Sequence, residues 1–209
     1  MYLKIEEFDN QQAIPGVLAF AVIDPVEHVK LSANRNPTLR WGDLPDGTRS
    51  LVLLCVDDTV PTRPDDVNQE DREVPEDLPR TDFYHWVMVD IPPLADGIAG
   101  GSCSNGVTAR GKQQPAGPDG SRQGINDYTG WFAGDEAMSG NYFGYDGPCP
   151  PWNDSLVHQY HFVLYASDLE RCEVDGAFTG GDVVAALQEH ILGEASVTGL
   201  YTLNPRLAG

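Results

Sequence analysis

Apolar, β-branched and aromatic residues gather along this chain in short runs bounded by Gly, Pro, Asp or Asn. The clear ones are Val17–Ile23, Leu51–Val56, His85–Ile91, Tyr160–Ala166 and Ser196–Tyr201. Runs of about six residues rich in Val, Ile, Tyr and Phe predict β-strands. One segment keeps a different period. From Asp182 the apolar positions Val183, Val184, Leu187, Ile191 and Leu192 recur at helical spacing. Asp182 as N-cap and Gly193 as stop predict a helix over Asp182–Leu192, amphipathic enough to lie on a sheet. With 22 Gly and 16 Pro spread along 209 residues, the pattern predicts one all-β domain. Its expected form is a two-sheet antiparallel Greek-key sandwich with long loops and a C-terminal helix packed on it.

Two stretches read as insertions. Residues 62–82 hold eight acids against three arginines, with Pro64, Pro75 and Pro79 and no periodicity. Such a segment is expected as irregular surface chain that a deletion removes at little cost to stability. Residues 100–140 are dominated by Gly, Ser, Asn, Gln and Pro, yet contain Tyr128, Trp131 and Phe132, which suggest a packed lid.

Charge narrows the function classes. Thirteen basic against 32 acidic residues leave a formal −19, a surface that repels phosphate backbones and anionic lipid. Nucleic acid is therefore not an expected partner, while one local phosphate pocket built from a few donors remains compatible. Nor is stable membrane insertion expected, because no apolar run approaches the roughly 20 residues a bilayer needs. The start, Met1 to Glu7, lacks the basic and apolar regions of a secretory signal. Cys55, Cys103, Cys149 and Cys172 lie far apart. They are read as reduced thiols, and the protein as cytoplasmic.

Candidate chemistry is sparse. Gly106 to Lys112 matches most of a phosphate-binding loop, but Gln113 stands where Ser or Thr should be, and the prolines that follow cannot start the required helix. His158 and His161, three apart on a predicted strand, point to opposite faces. His158 then shares a face with Tyr160, and one of the two histidines is expected to serve a site or the surface and the other structure. Nucleophile motifs of the G-x-S-x-G and S-x-x-K kinds are missing. Cys149, set among Pro148, Pro150 and Pro151, is expected to pack and not to react. No metal site and no cofactor is expected.

Three segments remain. Leu51 to Val56 runs into Asp57-Asp58-Thr59-Val60-Pro61; Tyr84-His85-Trp86 opens a strand; Gly147-Pro148-Cys149-Pro150-Pro151 leads to His158-Gln159-Tyr160. In this order they resemble the phosphatidylethanolamine-binding protein family, specifically its bacterial Raf-kinase-inhibitor-like branch, over Ala13 to Tyr201. The chain departs from the usual pattern in two places: Thr59 replaces the second Asp of the turn, and Gln159 replaces the Arg between His and Tyr. The resemblance implies a small anion-binding pocket walled by Asp57, His85, Gly147, Pro148, His158 and Tyr160. It would hold phosphate or a phosphorylated headgroup such as phosphoethanolamine. Two imidazoles can donate to phosphate oxygens, and Asp57 can fix an imidazole tautomer. The expected function is non-enzymatic binding, with regulation of a partner protein as a further implication, and a homodimer is implied by resemblance alone. Two alternatives stand beside it: a kinase or protease inhibitor acting through its surface, and a small-molecule hydrolase or isomerase using Asp57 and His158.

Overall fold

The run Leu51–Val56 lies inside a twelve-residue strand whose first six side chains are buried on both faces, which is why it is apolar without alternation. The structure, a computed structural model, describes residues 1–208, and the elements given are those among the described residues. In chain order the strands are β1 (Tyr2–Ile5), β2 (Gln12–Ala13), β3 (Ala21–Asp24), β4 (His28–Leu31), β5 (Leu39–Gly42) and β6 (Ser50–Pro61). Then come β7 (Arg80–Ile91), β8 (Gly97–Ile98), β9 (Arg122–Gln123), helix α1 (Tyr128–Trp131), β10 (His158–Ser167), helix α2 (Gly180–Leu187) and β11 (Ile191–Tyr201).

A six-stranded sheet in the order β2-β11-β10-β6-β7-β9 forms the centre. On one face its residues Leu53, Cys55, Trp86 and Phe162 pack with Leu3, Ile5, Leu39 and Trp41 of the three-stranded sheet β1-β5-β8. On the other, Val52, Leu54, Val87 and Val89 pack against Val183 and Leu187 of α2. The fold is mostly β, as expected, but not purely antiparallel: β2 runs parallel to β11, with Gly199 opposite Gln12.

Local expectations shift in three places. The helix begins two residues earlier than its periodicity suggests, because Thr179 and not Asp182 is the N-cap. Asp182 reaches back as the third helical residue, its Oδ2 accepting from Thr179 N at 2.8 Å while Thr179 Oγ1 accepts from Asp182 N at 3.2 Å. It ends at Leu187, because Ile191 pairs with Ser167 and Gly193 with Ala166 in the sheet. The helical spacing of Ile191 and Leu192 thus yields to non-local ladder bonds. Within Val17–Ile23 only Ala21 onward is strand. Before it, Leu18 O accepts from the Tyr145 hydroxyl and Phe20 N donates to Pro148 O, so those backbone groups are spent on a loop.

The acidic insertion is irregular from Thr62 to Pro79 and mostly exposed, but it is tied down. Val67, Val74 and Leu78 form a small apolar cluster. Asn153 Nδ2 donates to the carbonyls of Asp66, Gln69 and Arg72. The expectation that the segment is dispensable is thereby revised: its last residues are β7, and its inner side is fastened to the loop before β10. In the second insertion, α1 packs Tyr128 against Phe20, with ring centroids 4.8 Å apart.

Candidate functional site

Register assembles the site. Tyr160 on β10 stands directly opposite Asp57 on β6, so the two side chains share a face, and His158 joins them by strand parity. A β-bulge supplies His85: Cys55 pairs with Trp86 and Val56 with Tyr84, leaving His85 unpaired between them. The extra residue turns the His85 ring to the same side as Trp86, where it meets Tyr160 with centroids 5.1 Å apart. Regular alternation would have sent it to the face covered by α2.

Asp57, His85, His158 and Tyr160 line one cavity of about 370 Å³. Gly147 and Pro148 do not line it. They sit behind its wall, where a side chain at Gly147 would run into the Leu18 carbonyl and Pro148 O accepts from Phe20 N at 2.9 Å. The wall of that loop is formed instead by Cys149, Pro150 and Pro151. The loop is anchored by Asp146, whose carboxylate accepts from Asn34, Lys112 and Asn126. Lys112, the lysine of the partial phosphate-loop match, is therefore a structural cation.

Hydrogen bonds define the protonation states. His158 Nδ1 lies 2.7 Å from Asp57 Oδ2, and its Nε2 lies 3.0 Å from Asp154 Oδ2. Asp154 also accepts two bonds from the guanidinium of Arg80, at 2.6 and 3.1 Å. Burial alone would lower the His158 imidazole, but the charge of Asp57 and the hydrogen bonds the ring donates to both carboxylates raise it to about 9. Burial works the other way on Asp57, yet the imidazolium beside it holds its carboxyl below the ordinary value. Asp57 Oδ1 accepts from Thr59 N at 2.9 Å and from the Thr59 hydroxyl. This is an Asx-turn, the one part of the network that the Asp57-x-Thr59 spacing could have revealed. Asp154, Arg80 and Asn153 carried no such signal. The four charges of Asp57, His158, Asp154 and Arg80 sum to zero.

Burial lowers the His85 imidazole, a trend the nearby Asp57 charge partly opposes. Its Nδ1 donates to the Asp146 carbonyl at 2.8 Å, so Nε2 of the neutral ring is an acceptor. Tyr160, fully buried, has a hydroxyl with no well-formed hydrogen bond among the described residues; burial first, and then the charge and side chain of Asp57 beside it, push it up. Burial pushes the Cys149 thiol up to about 12, and Cys55, Cys103 and Cys172 are likewise free thiols. His161, on the outer face, hydrogen-bonds Thr198 Oγ1 at 2.9 Å and pairs with Asp58 at 3.1 Å. Among the described residues no group of His, Cys, Asp and Glu is spaced to hold a metal ion, and no helix is long and apolar enough to cross a membrane.

The family model described as phosphatidylethanolamine-binding protein matches residues 4–202. This chain belongs to that family. A UPF0098 protein of Methanothermobacter thermautotrophicus is 34% identical over 96% of this chain and 98% of its own length. The Escherichia coli UPF0098 protein YbhB is 30% identical over 81% and 82%. Among solved structures, Escherichia coli YbcL, described as a new member of the mammalian PEBP family, superposes with a TM-score of 0.68 at 23% identity. The match covers 96% of this chain and 97% of YbcL. The Chlamydia trachomatis homologue CT736 gives 0.64 at 22%, over 96% and 95%. These two likenesses establish the fold of this family member.

Proposed function

We propose that the protein is a binding protein for a small anionic ligand, a phosphate or a phosphorylated headgroup, and that it does not turn the ligand over. The observation that carries this reading is the Tyr160 hydroxyl, buried at the cavity beside Asp57 and without a well-formed hydrogen bond among the described residues. A buried polar group without a partner is costly, and an oxyanion seated there relieves it. His85 supplies the second contact once protonated at Nε2, so the anion is taken up together with one proton, brought by the ligand or held by His85. The His158 imidazolium offers the anion no hydrogen bond, since both its N–H groups are committed to carboxylates that also balance its charge.

The same commitments argue against hydrolysis or isomerisation by Asp57 and His158. A general base needs a free lone pair, which the His158 imidazolium lacks, and Asp57, held below its ordinary value by that imidazolium, is a weak base. The Cys149 thiol, held up to about 12, is not a nucleophile at neutral pH.

Calorimetry with inorganic phosphate and phosphoethanolamine at pH 6 and pH 8 tests the reading, alongside phosphorus NMR for turnover. Tighter binding at the lower pH and an unchanged ligand spectrum are expected. Tyr160→Phe should weaken binding by about tenfold to hundredfold, the worth of a hydrogen bond to a charged group. A silent titration, or appearance of product, refutes it.

A further inference from the structure

The polar floor occupies a small part of the cavity. An inorganic phosphate is only a few water molecules in bulk, at roughly 30 Å³ each, whereas the cavity is about 370 Å³. Cavities of roughly 300–1,000 Å³ suit molecules of drug size. The rest of the lining is apolar apart from Lys30 and Asn68, and the two insertions supply six of its residues. Tyr128, Trp131, Phe132 and Met138 belong to the Gly-rich stretch, and Val67 and Asn68 to the acidic one.

The rings form a cluster in mutual contact. Phe20 stacks on Tyr128 at 4.8 Å with 20° between planes, Tyr128 on Phe132 at 5.5 Å with 13°, and Phe20 meets Phe132 at 6.0 Å with 32°. The Tyr128 hydroxyl is already used, donating to Gly147 O at 2.8 Å, so that ring presents apolar surface to the cavity. Beside them Trp131 remains 49% exposed and Leu31 63%, two large apolar side chains that also line the cavity and that the core does not cover. Pro150 and Pro151 contribute rigid apolar surface to the same space.

Resting on the reading of the floor as an anion site, we infer that the ligand carries an aromatic ring beyond its acidic head, seated among Tyr128, Trp131 and Phe132. Near-parallel aromatic side chains favour another ring over a flexible chain. Offset stacking at centroid distances of about 4.5–7 Å adds to area burial, and a rigid ring loses less conformational freedom than an alkyl arm.

Calorimetry with inorganic phosphate, phenyl phosphate and n-hexyl phosphate separates the alternatives. Phenyl phosphate should bind about tenfold or more tightly than inorganic phosphate and more tightly than n-hexyl phosphate. Trp131→Ala and Phe132→Ala should cancel that gain while leaving the affinity for inorganic phosphate unchanged. Trp131 is half exposed, so its variant folds and carries the test if Phe132→Ala does not, with thermal unfolding as the check. Equal affinities for phenyl and inorganic phosphate overturn the inference and leave the floor reading standing. So does n-hexyl phosphate matching phenyl phosphate, or a gain that survives both substitutions. If inorganic phosphate itself does not bind, the floor reading fails first and the inference falls with it.

Discussion

Asp154 Oδ2 meets His158 Nε2 at 3.0 Å, four residues away across the junction between a proline-rich loop and β10. Asp57 already takes the other ring nitrogen, and a ring with carboxylates at both nitrogens must donate from both. His158 is therefore an imidazolium, and Arg80 behind Asp154 completes a neutral chain of four charges. Such a chain orients the floor of the cavity without leaving it a net charge.

Stability should peak near pH 6.5. The folded His158 titrates at about 9 against an ordinary 6.5. Its contribution is fully present below 6.5 and is lost as pH rises towards 9. His85 is depressed below 6.5 by burial, so its contribution is present above that value and fades as pH falls through the lowered one. Asp57 and Asp154, both held below 3.8, add a further loss at still lower pH. Urea denaturation across this range should show the alkaline decline, and His158→Gln should flatten it. A wild-type profile that is level from pH 6.5 to 9 contradicts the imidazolium assignment.

The two histidines of β10 should respond differently to truncation. His158→Ala leaves two buried carboxylates facing one another's charge, and breaking a buried ion pair costs about 3–5 kcal/mol. His161 is partly exposed and pairs with the more exposed Asp58, where a surface pair is worth about 1 kcal/mol or less. Denaturation midpoints of the two variants check this, with Tyr160→Phe as the variant that addresses binding separately. Equal losses would place both rings in equivalent surroundings, contrary to the register.

Asn153→Ala should loosen the acidic insertion more than the domain. The amide holds three loop carbonyls, and its Oδ1 accepts from Asn68 N at 2.8 Å. Leaving such groups unpaired costs about 1–3 kcal/mol. Hydrogen exchange should accelerate at Val67, Asn68 and Val74, whose amides are bonded, while Val52–Cys55 stays protected. Unchanged exchange at Val67 would show that the insertion is held by its own apolar cluster and not by Asn153.

Part of the cavity's polar floor is legible in the sequence. An unbroken apolar run ending at Asp57 and the His158-x-Tyr160 parity follow from period and local backbone preference, which act over a few residues, while the ordered motifs add His85 through family resemblance alone. Fold class, the buried central strand and the outward turn of His161 follow in the same way. Other features were decided only when strands met. His85 reaches the cavity because a bulge inserts it between two ladder pairs, and nothing within its own strand marks that residue as the extra one. Asp154 and Arg80 lie 74 positions apart, and both insertions, one joining β6 to β7 and the other lying between β8 and β10, reach the same cavity. The helical period of Ile191 and Leu192 was overruled by pairing with β10. A side chain's face follows from its immediate neighbours. Its partners depend on register and on contacts between distant segments, whose free energy exists only once the chain has folded.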